Sequence, residues 1–75
     1  MPQLKSATEA NKLAIEAGAD AGLSRFWLEA VSTRKVDGKW EVLLNYFARR
    51  FKAVIDANTG EVEVWTEILQ PETRQ

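Results

Sequence analysis

The chain contains no cysteine and no histidine. Without cysteine, neither a disulfide nor a thiolate metal site can staple the fold. Without histidine as well, Ser-His-Asp and Cys-His catalysis and the usual zinc sites are excluded. Glycine occurs four times. Gly18, Gly22, Gly38 and Gly60 stand singly, so no glycine-rich loop exists to cradle a phosphate. No apolar run approaches the roughly 18 residues a membrane helix needs. The start, Met1-Pro2-Gln3-Leu4-Lys5-Ser6, has no apolar segment of the signal-peptide kind. Neither sign of charge dominates, with 10 basic and 11 acidic residues and a net charge of −1. That balance gives no overall field to attract a polyanion or an anionic membrane. The expectation is a soluble, cytoplasmic protein with no membrane partner, no metal and no cofactor.

What remains is a 75-residue chain, enough for one domain spanning 1–75. A domain of this size buries only about 60% of the surface its unfolded chain exposes. A well-formed helix, a small core or self-association must therefore supply its stability.

Ser6-Ala7-Thr8-Glu9 matches a capping box, in which Ser and Glu satisfy each other's free backbone N–H groups. It predicts a helix over about 7–18. Ala7, Ala10, Leu13, Ala14 and Ala17 share one face, with Ile15 at its flank and Glu9, Lys12 and Glu16 opposite. Gly18 or Gly22 is placed to end the helix. From Arg25 the texture turns β-branched and aromatic, predicting strands over about 25–35, 40–47, 51–56 and 61–69. Asp37-Gly38 is a two-residue hairpin signal. Ala48-Arg49-Arg50 is expected to turn the chain, and Asp56-Ala57-Asn58-Thr59-Gly60 to turn it again. The tail at 70–75 is expected to be loose, since Pro71 cannot continue a ladder. The fold class is α+β: one N-terminal helix packed on a four-stranded antiparallel meander.

Alternation along each strand assigns its faces. Phe26, Leu28 and Ala30, then Trp40, Val42 and Leu44, then Phe51, Ala53 and Ile55, and finally Val62, Val64 and Ile68 are read as facing the helix. Trp27, Glu29 and Val31, then Glu41, Leu43, Asn45 and Phe47, then Lys52 and Val54, and finally Glu61, Glu63, Trp65 and Glu67 are read as facing outward. The outer face then collects Trp27, Val31, Leu43, Phe47, Val54 and Trp65. A sheet covered on one side normally keeps its other face polar. A contiguous apolar patch there reads as a contact site, and tryptophan is enriched at binding hot spots. These six are the candidate interface residues, and the expected partner is a second copy of the chain or another protein.

Catalytic constellations are absent from the sequence. Ser24 and Ser32 have no adjacent base and no nucleophile-elbow pattern. The carboxylates fall in turns or on solvated faces, with no pocket to split their pKa values. Asp56 to Gly60 resembles a calcium loop superficially, but glycine falls at the fifth place instead of the sixth and a strand follows. The protein is therefore expected not to be an enzyme. Arg49-Arg50-Phe51-Lys52 sets basic residues beside an aromatic, which leaves a weak nucleic-acid contact through Arg49, Arg50 and Lys52 as one alternative. A small-ligand or peptide-sensing regulator is the other.

Ala14 to Gly18, then Asp37-Gly38-Lys39-Trp40-Glu41-Val42, then Val54-Ile55-Asp56-Ala57-Asn58-Thr59-Gly60-Glu61-Val62 follow one another in an order that resembles the PepSY domain. The likeness spans about 6–69. It implies a helix against an antiparallel sheet and a role that is inhibitory, chaperone-like or regulatory, without catalysis.

Overall fold

Alanine and glycine recur at every fourth position of the helical segment, and Ala10, Ala14 and Gly18 are the residues its fold buries. The computed structural model describes residues 7–68. Helix α1 runs Ala7–Asp20. Ser6, the expected N-cap, lies outside the described residues. The helix ends at Gly22, whose φ is 101°, in a left-handed conformation that suits glycine. Leu23 N–H donates to Gly18 O at 3.0 Å and Gly22 N–H to Ala19 O at 3.0 Å, a Schellman closure. Gly18 is thus a packing residue inside the helix, and Gly22 is the terminator.

The helix lies on a four-stranded antiparallel sheet in the order β1-β2-β3-β4, formed by Glu29–Val36, Lys39–Tyr46, Arg49–Asp56 and Val62–Glu67. The α+β meander expected from the sequence is the observed architecture. Val42, Leu44, Ala53 and Ile55 are fully buried under the helix, with Leu28 and Phe51 beside them. The small residues on the helix let its backbone approach this layer closely. Asn11 on the helix and Thr33 on β1 are joined by a side-chain hydrogen bond, Thr33 Oγ1 donating to Asn11 Oδ1.

The first hairpin turns at Asp37-Gly38, both with positive φ (52° and 76°), as a type I′ turn requires. The turn after β3 is built on Asp56. Its carboxylate Oδ1 accepts from Asn58 N–H at 2.7 Å and Thr59 N–H at 3.1 Å. Gly60, at φ 77°, closes the turn by donating to Asp56 O at 2.8 Å. These bonds, Asn58's first, hold the Asp56 carboxyl below its ordinary pKa. A depressed carboxylate stabilises the fold above its unfolded pKa, and that stabilisation disappears as pH falls through the folded value. Asp56→Ala is therefore expected to melt lower than wild type near pH 6, with the gap closing towards about pH 2. A gap that stays constant from neutral to acid pH would show that the carboxylate does not act through its charge.

Four expectations about the strands are corrected. Strand β1 begins at Glu29, not Arg25. Ser24 to Trp27 form a turn instead, with Trp27 N–H donating to Ser24 O at 3.1 Å. Phe26 accordingly does not face the helix but stands 83% exposed. Arg49 and Arg50 belong to β3, and the hairpin before it turns through Phe47-Ala48, since Tyr46 pairs with Arg49. The fourth correction decides the site. Strand β4 carries a register shift opposite Val54/Ile55: Val62 pairs with Ile55, but Val64 pairs with Val54 and Trp65 with Ala53. One extra residue exchanges the faces of everything beyond it. Trp65 and Glu67 therefore lie on the helix side, while Val64 and Ile68 turn outward. A second shift in β1, between Ala30 and Ser32, leaves Val31 unpaired.

Candidate functional site

The outer face of the sheet is less apolar than alternation implied. Ser32, Arg34, Glu41, Leu43, Lys52 and Ile68 line a shallow hollow on it. Arg34 pairs with Glu41 at 3.2 Å, and Lys39 bridges to Glu63 at 2.8 Å and Asp56 at 3.8 Å. The bond to Glu63 holds the Lys39 ammonium above its ordinary pKa. Exposed pairs of this kind contribute little stability. What they do here is cover the face with charge. Leu43 and Val54 sit half-buried within that surface, and Val54 lies opposite Val64.

Trp65 does not belong to this face. Its ring stacks on Phe51 at 5.2 Å between centroids and 12° between planes. It also reaches the helix at Gly18, where any Cβ would meet the indole at 3.0 Å. Trp65 is a core residue at the edge of the sheet.

Of the remaining candidates, Val31 stands exposed in the β1 irregularity, while Trp27 and Phe47 converge elsewhere. Trp27 and Phe47, from two turns at one end of the sheet, have ring centroids 5.6 Å apart. Phe26 adds an edge contact to Trp27 at 6.2 Å. Tyr46 supports Phe47 from behind at 5.0 Å and contacts Phe51 at 6.5 Å. Its hydroxyl accepts a hydrogen bond from Ser24 N–H at 3.1 Å, tying the α1–β1 connection to the sheet. The outermost rings are largely bare: Phe26 83%, Trp27 58% and Phe47 71% exposed. They form a pre-ordered aromatic cluster whose inner end is anchored in the core.

Phe47 has φ 58°. A bulky side chain in the left-handed region is a conformational outlier, and the first central position of such a turn ordinarily takes glycine. Alternation alone placed Phe47 on a strand, and no turn signal marks Phe47-Ala48. Phe26 was missed as a surface residue for the matching reason, that the aromatic texture of Arg25 to Leu28 reads as strand.

Two ion pairs involve residues next to the cluster in sequence or space. Arg25 meets Glu16 at 3.3 Å and Arg49 meets Glu67 at 2.9 Å, while Arg50 donates to Asn45 Oδ1 at 3.1 Å. The Arg49 bond holds the Glu67 carboxyl below its ordinary pKa. Arg49 also lies over the Phe51 ring at 5.0 Å, on the opposite side of β3 from Arg50 and Lys52. The basic trio is thus divided between two faces. Among the described residues, no group of three or more His, Cys, Asp or Glu side chains is placed to hold a metal ion, and no helix is long and apolar enough to cross a membrane.

The chain matches no protein-family model, no curated protein and no solved structure.

Proposed function

We propose that the protein is a non-enzymatic protein-binding module and that its contact surface is the aromatic end formed by Phe26, Trp27 and Phe47. The observation that carries this reading is Phe47. Its backbone conformation costs on the order of 1 kcal/mol or more, and its ring then stands in water. The contacts with Trp27 and Tyr46 offset part of that cost, and binding gains a rigid aromatic anchor. The PepSY-like pattern of the sequence supports an inhibitory or regulatory form of binding. This reading moves the contact surface from the middle of the outer face to one end of the sheet, and of the six candidate residues it keeps Trp27 and Phe47 there. Leu43, Val54 and Val31 fall outside it, further along the sheet, and Trp65 would support it from the core.

Phe47→Gly relieves the backbone strain but gives up two ring contacts and adds unfolded-state entropy, so the melting temperature should stay within a few degrees of wild type. A drop of more than a few degrees would mean that Phe47 serves the fold. Binding is tested by placing the photo-crosslinking residue p-benzoyl-phenylalanine at position 47 in the source cell. A discrete protein adduct is expected there and not at Lys12, on the exposed face of the helix. No adduct at 47 above the Lys12 background would defeat the reading.

A further inference from the structure

Both sheet edges are closed to strand addition by the same two devices. Edge strand β1 carries a register irregularity at Val31, and it turns Lys35 inward over the Trp40 ring at 5.8 Å. Edge strand β4 is only six residues long, carries its irregularity opposite Val54/Ile55, and turns Glu67 inward to Arg49. Bulges and inward-facing charges are how sheets prevent edge-to-edge pairing. The outer face sets the Arg34–Glu41 and Lys39–Glu63 pairs around Leu43, Val54 and Val64, and the exposed side of α1 carries Glu9, Lys12 and Asp20. Among the described residues, the most exposed large apolar side chains are Phe26, Phe47 and Trp27, all at the aromatic end.

Its size and rim describe its occupant. Three rings exposed to this degree offer on the order of 400 Å² of apolar surface. A standard interface buries about 800 Å² per partner, a little over half of it apolar, so the cluster is about the size of one partner's apolar share. Of the charged residues near it, Arg25 and Arg49 are paired within the chain with Glu16 and Glu67, and Arg50 and Glu29 balance each other in sign. A strongly charged partner finds no complementary field there. A second copy brings the same balanced surround, so no like-charge field opposes its docking about a two-fold axis. A net charge of −1 offers little repulsion between copies.

We infer that the occupant of the aromatic end is a second copy of this chain, docked about a two-fold axis with Trp27 and Phe47 of both copies at its centre. The inference rests on the binding role proposed above. It is tested by sedimentation of the purified full chain from about 1 µM to about 1 mM, a range that brackets a weak, reversible dimer. Wild type should pass from monomer to dimer. Phe47→Gly and Trp27→Ala, each confirmed as folded by its melting curve, should each raise the dissociation constant by about 30-fold. A wild type that stays monomeric throughout overturns the inference, as does a dimer that persists unchanged in both variants. The crosslink at position 47 separates the two levels. An adduct at twice the chain mass supports the second copy. An adduct with a different protein overturns it and leaves the binding role standing, and no adduct overturns both.

Discussion

Trp65→Ala is expected to lower stability by about 3 kcal/mol, the low end for a truncated core tryptophan because its indole is only partly buried. A domain of this length has about 4–10 kcal/mol in total, so the loss is a large share of it. The melting temperature should fall by roughly 15 °C. Two contacts vanish together: the stack on Phe51 and the approach to the helix at Gly18. Trp65→Phe keeps a ring against Phe51 and should cost about 1 kcal/mol. Had Trp65 stood among exposed glutamates, as simple alternation implies, truncation would leave the melting curve in place and change only binding. Thermal denaturation decides between the two. A midpoint for Trp65→Ala within about 2 °C of wild type would return the residue to the surface.

The distance between those two outcomes is one residue. Within β2 and β3, Val42, Leu44, Phe51, Ala53 and Ile55 face the helix as expected, even though Leu43 and Val54 make the alternation apolar on both faces. Asp37-Gly38 and Asp56 to Gly60 carry turn chemistry that can be read locally, since Gly and Asp are selected there by positive φ or by side-chain capping. The register shift in β4 has no such signature. Glu61-Val62-Glu63-Val64 alternates cleanly, yet Val62 and Val64 end on opposite faces because β3 pairs with them out of step. The interruption exists only in the pairing of two strands, so no property of either strand alone displays it. Trp65 follows the interruption, and the face assigned to it was lost with the register.

The aromatic end was half legible for a related reason. Trp27 and Phe47 were placed on the surface by parity along strands, but both lie in turns. Their proximity comes from the meander, which sets the β2–β3 turn beside the segment leaving α1, and from the hydrogen bond between Ser24 and Tyr46. Neither link is local in sequence. Phe47 hides its turn because a phenylalanine with positive φ breaks the compositional rule by which turns are recognised. Local rules tend to fail where a residue serves something other than the fold, and that is the reading proposed for Phe47.

Gly18→Val should cost about 2–3 kcal/mol, although replacing glycine inside a helix ordinarily helps. The propensity gain is less than about 1 kcal/mol. Against it, a Cβ at this position collides with Leu28 Cδ1 and presses on the Trp65 indole. Overpacking of this kind costs about 1–3 kcal/mol, and valine's second branch puts it at the upper end. Gly18→Ala adds one carbon, and the atom it strikes first is the far end of a flexible side chain, so its net cost should be smaller. The mechanism predicts a coupling. Leu28→Ala alone opens space at Gly18 and destabilises the fold, but combined with Gly18→Val it should recover about 1–2 kcal/mol relative to the sum of the single changes. Denaturant unfolding of the four proteins in that cycle measures the term directly. Strict additivity would mean that Gly18 is small for some reason other than the approach of helix to sheet. Recovery would show that this glycine sets how closely α1 lies on Leu28 and Trp65, and so holds in place the core end of the aromatic chain that runs through Phe51 and Tyr46 to Phe47 and Trp27.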